Sequence, residues 1–280
     1  ALTVPSGLES GKYKMIACRG SLKCPVGIVD IEVTDNPSNI SEVKVIGHRG
    51  YHDSSAPENS IASLKKAQDL GIYGAEFDVW ITTDGVTMVN HDGKYSGDSH
   101  EIQNSTYSEI KDLKLSNGES VPTLADYLEQ GKKDENMRLV LEIKAHNTAE
   151  KNKAVTETCV REVQEAGLTD RVDWISFSLD NCLRVKSLLP HSKVQYLTGD
   201  KTPEELHAQG IDGIDYQTTY LDKNPDYISR AHKLGMTVNV WTVNDALGML
   251  KYIGQGVDFI TTDYPQTCKE ASGKTFITEE

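Results

Sequence analysis

Ala75-Glu76-Phe77-Asp78-Val79-Trp80-Ile81-Thr82-Thr83-Asp84-Gly85-Val86-Thr87-Met88-Val89-Asn90-His91-Asp92 is the stretch on which the reading of the fold turns. Side chains alternate faces along a strand, so Glu76 and Asp78 point the same way out of a run of Phe, Val, Trp and Ile. Thr83-Asp84-Gly85 is a turn, and Val86 to Asn90 forms a second strand that delivers His91 and Asp92. With Asp84 and Gly85 as the two central residues of a tight antiparallel hairpin, Thr83 faces Val86 and Asp78 faces His91. Two carboxylates and an imidazole then converge, which is half of a divalent-metal site beside a titratable base. Acidic residues at i and i+2 also occur on solvated sheet faces. The apolar residues between them favour a buried strand, and buried carboxylates need a cation or several hydrogen bonds.

Working outward, the chain changes character near residue 41. Residues 1–40 carry two short strand-like runs, Lys12 to Cys18 and Gly27 to Val33, ahead of an Asp-Asn-Pro-Ser-Asn linker, and are read as a small β-rich extension. Residues 41–280 repeat strand, loop and helix. Strands starting near residues 43, 75, 86, 138, 172, 193, 211, 237 and 257 make nine, of which the pair at 75 and 86 is joined by a turn. The remaining alternation fits eight βα units and predicts a (β/α)8 TIM barrel, with a doubly wound open sheet as the structural alternative. The stretch from Gly93 to about Ser120 reads as a polar loop.

The formal charge of −13 and the lack of a basic cluster argue against nucleic-acid binding. An acidic protein with an anionic substrate needs local positive charge, which a metal ion supplies. No apolar run reaches the ~18 residues of a membrane span. The five cysteines fit no zinc spacing. Cys18 and Cys24 either close a small disulfide loop or stand as two thiols. Extension and cysteine pair together point to a periplasmic or secreted protein, with a cytoplasmic one as the alternative.

In a parallel barrel, chemistry gathers at the C-terminal strand ends. Those ends hold His48-Arg49, Glu76 with Asp78, His91-Asp92, Glu142 with Lys144, Ser176 and Ser178, Tyr196, Trp241 and Asp263. Hard oxygen ligands, cations and two imidazoles are what metal-assisted phosphoryl transfer requires. Arg49 and Lys144 serve equally well as counter-ions to buried acids, Trp241 serves as core packing, and Asp263 as a strand end or helix cap.

His48-Arg49-Gly50 with Ala56-Pro57-Glu58-Asn59-Ser60, the block Gly74 to Val79 with Thr83-Asp84-Gly85 and His91-Asp92, then Val121-Pro122-Thr123-Leu124, Leu141-Glu142-Ile143-Lys144, Val240-Trp241-Thr242-Val243-Asn244 and Gly256 through Pro265 resemble, in order, the motifs of glycerophosphodiester phosphodiesterases. The resemblance spans about residues 43–266. It implies a barrel that hydrolyses small glycerophosphodiesters with a divalent ion, Ca²⁺ or Mg²⁺. By position it implies Glu76, Asp78 and Glu142 as metal ligands and His48 and His91 as the catalytic acid–base pair. Arg49 and Lys144 would contact phosphate, and Trp241 would wall the substrate carbons. A lyase-like phospholipase releasing a cyclic phosphate and a non-catalytic phosphodiester-binding barrel are the competing functions. Head group, oligomeric state and the assignment of acid and base stay open.

Overall fold

The computed structural model describes residues 11–18, 25–33 and 43–272. In the extension, β1 (Gly11–Cys18) pairs antiparallel with β2 (Pro25–Val33), as the strand-like runs predict. Cys24 lies outside the described residues, so the Cys18–Cys24 pairing does too.

From β3 (Lys44–Gly47) the chain runs through α1 (Ile61–Leu70), β4 (Gly74–Ile81), β5 (Thr87–Val89), the short α2 (Tyr107–Ile110) and α3 (Leu124–Gly131). It continues through β6 (Arg138–Ile143), α4 (Ala149–Glu165), β7 (Val172–Ser176), α5 (Leu179–Leu188), β8 (Val194–Tyr196) and α6 (Pro203–His207). The last part is β9 (Gly213–Gln217), α7 (Thr218–Lys223), α8 (Tyr227–Lys233), β10 (Thr237–Trp241), α9 (Ala246–Gln255), β11 (Phe259–Thr262) and α10 (Pro265–Ser272). The parallel order β3-β11-β10-β9-β8-β7-β6-β4 closes on itself because β3 also pairs with β4, so the fold is a (β/α)8 barrel.

The ninth strand, β5, is not a stave. Only the lower end of β4 pairs with β3, at Gly74 and Ala75. Its upper end runs on past the barrel and pairs antiparallel with β5. The register is Val79 with Val89 and Ile81 with Thr87, one residue off the tight-hairpin expectation, so Asp78 lies opposite Asn90 rather than His91. Thr82 causes the slip. Its hydroxyl accepts from Val86 N–H (2.9 Å) and donates to Asp84 (2.6 Å), making a three-residue loop in which Gly85 takes φ +87°. The loop after the hairpin is also more than polar. Trp80 and Met88 on the hairpin pack with Tyr95, Ile102, Ile110 and Val121 into a second small core, which irregular apolar spacing conceals in the sequence.

Strand alternation sorts the barrel into two faces. Phe77, Val79, Leu139, Leu141 and Trp174 face the helices in the main core. Ile46, Val140, Ile175 and Leu197 face inward, with Tyr73, Phe259 and Trp241 packed against them. Below this plug, Arg138 grips Asp173 through two hydrogen bonds of 2.8 and 2.6 Å. The plug forces everything polar and inward-facing above it toward the C-terminal mouth.

Candidate active site

Glu76 and Asp78 on β4 and Glu142 on β6 are all buried, and one carboxylate oxygen of each lies within 4.8 Å of the others. Asp78 and Glu142 are register partners on adjacent parallel strands, which is why they meet. The sequence-predicted acids therefore come together. Asn59 turns to φ +57° and brackets Asp78, its amide donating to Oδ2 at 2.8 Å while its oxygen accepts the Asp78 N–H at 3.1 Å. Pro57-Glu58-Asn59-Ser60 therefore divides its labour: Ser60 caps α1, and Asn59 holds the site.

The cluster is short of positive charge. Burial and the neighbouring Asp78 and Glu142 push the Glu76 carboxyl well above its ordinary range. Burial and Asp78 raise Glu142, against the pull of Lys144. For Asp78, burial is outweighed by Lys144, His91, Asn59 and Arg49, which hold it below the usual range. Lys144 Nζ sits 3.1 Å from Asp78 Oδ1 and 2.8 Å from Glu142 Oε1, one counter-ion shared by two acids. The second contact is a close ion pair whose alignment falls short of a hydrogen bond. Three hard oxygen donors with a single ammonium among them fit a divalent ion of the Ca²⁺ or Mg²⁺ kind.

Arg49, at φ +53°, donates its backbone N–H to Glu76 Oε2 (2.8 Å) and its side-chain Nη1 to Glu58 (2.7 Å). Its Nε is buried without a hydrogen-bond partner among the described residues, 4.0 Å from Asp78. The next residue, Gly50, has φ +85°, and a Cβ there would meet the Ser63 backbone carbon at 2.8 Å, so the turn that aims Arg49 needs glycine. His91 follows Asn90, whose N–H donates to the Asp78 carbonyl at 3.0 Å, and its Nδ1 donates to Asp92 at 2.8 Å. Trp241 stands at the mouth, its indole N–H on the Asp215 carbonyl at 2.9 Å.

The sequence offered Asp263 as a strand end or helix cap; it follows β11 directly and is also a partner of His48. The contact of Asp263 Oδ1 with His48 Nδ1 is 2.7 Å, and a carboxylate only accepts, so the His48 proton sits on Nδ1 and Nε2 is left with its lone pair. His52 and Asn244 also donate to Asp263, and although burial opposes them these donors hold its carboxyl far below the usual range. Phe177 was missed by one residue. Ser176 turns outward and donates to Ile143 O, and Ser178 caps α5, while Phe177 packs at right angles on Trp241 with ring centroids 5.7 Å apart. Tyr196, next to inward-facing Leu197, belongs to the main core. His146 is structural, bonded to Lys144 O (2.9 Å) and to Ile81 N–H (3.1 Å).

Asp215 lies lower on the inner wall, fully enclosed, with Oδ1 unpartnered among the described residues, and burial pushes its carboxyl up to about 7 despite Asn239. A folded-state value above the unfolded one means stability is full below the unfolded pKa and is lost as pH rises through the folded value. Asp215→Asn should therefore flatten the fall in stability between about pH 4 and 7, recovering up to about 4 kcal/mol at the alkaline end. Urea midpoints at pH 5 and 8 check this; parallel slopes in both proteins contradict it.

The sequence model of the glycerophosphoryl diester phosphodiesterase family matches residues 48–267. The chain belongs to that family. By that membership it is a phosphoric diester hydrolase. A glycerophosphodiester phosphodiesterase of Caldanaerobacter subterraneus subsp. tengcongensis is 30% identical over 235 residues, covering 80% of this chain and 95% of the relative. The crystal structure of a glycerophosphodiester phosphodiesterase from Parabacteroides distasonis is 45% identical with a TM-score of 0.80, covering 82% of this chain and 97% of that one. A phosphodiesterase from Oleispira antarctica, solved in complex with the product sn-glycerol-3-phosphate, is 26% identical with a TM-score of 0.73, covering 82% and 97%.

Proposed function

We propose that the protein hydrolyses small glycerophosphodiesters to glycerol 3-phosphate and an alcohol, with Ca²⁺ or Mg²⁺ held by Glu76, Asp78 and Glu142. One observation carries this reading: three buried carboxylates converge at the barrel mouth with one ammonium, Lys144, against two of them. The product complex of the Oleispira antarctica relative supports the substrate class. A divalent ion in the acid cluster would neutralise a non-bridging phosphate oxygen.

The chain's own groups do the rest. The lone pair that Asp263 leaves on His48 Nε2 removes a proton from the attacking hydroxyl, which belongs to water or to the glycerol 2-position. His91, more open to solvent, delivers a proton to the departing alkoxide. After a 2-hydroxyl attack the roles reverse to open the cyclic phosphate. Arg49, with its free Nε, and Lys144 engage the phosphate oxygens. Trp241 and Phe177 form an apolar corner for substrate carbons.

Chelated protein should be inactive on glycerophosphocholine, glycerophosphoethanolamine and glycerophosphoglycerol. Added Ca²⁺ or Mg²⁺ should restore release of glycerol 3-phosphate, followed by phosphorus NMR. Full activity in chelator, or metal-dependent binding without turnover, would overturn the proposal.

A further inference from the structure

We infer that His48, His52 and Asp263 form a second metal site, selective for a borderline transition ion such as Zn²⁺, whose occupancy switches the enzyme off. One ligand atom from each residue lies within 4.8 Å of the other two. Asp263 Oδ1 is 2.7 Å from His48 Nδ1 and 3.2 Å from His52 Nε2. Donors at the usual Zn–N and Zn–O lengths of a tetrahedral site stand ~3.4 Å apart, so Asp263 Oδ1 needs only to draw back slightly from each imidazole to admit an ion. Two imidazoles and one carboxylate favour Zn²⁺ or Co²⁺, and the all-carboxylate cluster of Glu76, Asp78 and Glu142 favours Ca²⁺ or Mg²⁺. The protein therefore carries two donor sets of opposite preference at one barrel mouth. Asn244 supports the second set by donating to Asp263 Oδ2, which leaves Oδ1 facing the imidazoles. All three residues are partly exposed, so an ion reaches them from solvent.

The consequence follows from the imidazole ring. An ion on His48 needs the Nδ1 lone pair, so the proton now on Nδ1 moves to Nε2. Nε2 then has no lone pair, and the ring cannot take a proton from a nucleophile. His52 loses its Nε2 proton to Nδ1 in the same way. No proton is gained or lost overall, and each ring changes tautomer. Inhibition rests on the assignment of His48 as the base; binding of the ion does not.

The test uses Ca²⁺-saturated protein, titrated with ZnCl₂ for activity on glycerophosphocholine and for heat, and with CoCl₂ for visible absorption. Wild type should bind one Zn²⁺ without displacing Ca²⁺ and lose activity in step. Co²⁺ should give the d–d bands of a nitrogen–oxygen site. His52→Gln and His52→Ala, each measured against its own uninhibited rate, should raise the half-inhibitory Zn²⁺ concentration at least ~10-fold and abolish the Co²⁺ bands. Their melting temperatures show whether they are folded, and two replacements guard against one that is not. Equal Zn²⁺ sensitivity in wild type and both variants overturns the site, as do Co²⁺ bands that persist without His52. A Co²⁺ spectrum that depends on His52 while Zn²⁺ leaves turnover intact would keep the site and overturn the role of His48.

Discussion

Glu76→Gln should silence turnover by ~10²-fold or more and, in the same protein, raise the melting temperature of the metal-free form. The two effects have one cause. Glu76 is enclosed with Asp78 and Glu142, and burial with like charge raises its carboxyl well above the ordinary range. A raised folded-state value stabilises fully below the unfolded pKa, and that stabilisation drains away as pH climbs through the folded value. The metal-free wild type therefore bears more of the strain of its acid cluster at pH 8 than at pH 5. Glutamine keeps the shape and can still accept the Arg49 N–H now on Oε2 at 2.8 Å, but it carries no charge to repel Asp78. The gain should be roughly 1–3 kcal/mol at pH 8 and should shrink toward pH 5. The variant should also lose the ligand-induced stabilisation that a divalent ion, Ca²⁺ or Mg²⁺, in the cluster would confer, which at a hundredfold excess over Kd is about 2.7 kcal/mol. Thermal unfolding with chelator and with each ion, at both pH values, reads all three quantities. A variant that still stabilises on adding metal and still turns over would remove Glu76 from the ligand set.

That the acids meet was legible because strand alternation and the βα repeat are properties of local sequence. Glu76 with Asp78, and Glu142 one strand away, follow once the barrel is recognised. What was not legible depends on side chains acting on backbone. Thr82, by bonding both Val86 N–H and Asp84, lengthens the hairpin loop and moves Asn90 opposite Asp78. No turn rule read from Asp84-Gly85 alone anticipates this. Phe177 was missed because the polar residues on either side of it, Ser176 and Ser178, were read as the site-facing ones, whereas Ser176 turns outward and Ser178 caps α5. Asn59 was hidden by its neighbour: Asn and Ser cap helices equally well, and it is the left-handed backbone at Asn59 that turns its side chain onto Asp78. Asp263 and His48 are brought together by closure of the barrel, since β11 and β3 pair directly. Contacts between the two ends of a chain leave no local trace.

His48→Ala should cost ~10²- to 10⁴-fold in kcat, and Asp263→Asn should cost nearly as much although it leaves every catalytic atom in place. The reason lies in the bonds around Asn244. Its side-chain oxygen accepts the Asp263 backbone N–H at 2.9 Å and the Thr262 hydroxyl at 3.2 Å, so its amide nitrogen must point at Asp263 Oδ2. An asparagine at 263 must keep its oxygen there and turn its own NH₂ toward His48. That donor demands the lone pair of Nδ1, drives the imidazole proton to Nε2 and removes the base. Because both changes disable the same lone pair, Asp263→Asn placed on His48→Ala should lower kcat no further. KM should move little in Asp263→Asn, since no group touching phosphate is altered. Steady-state kinetics of the two single variants and the double variant decide the matter. Multiplicative losses would mean that Asp263 acts independently of His48, and near-wild-type turnover in Asp263→Asn would mean that the tautomer of His48 is set elsewhere.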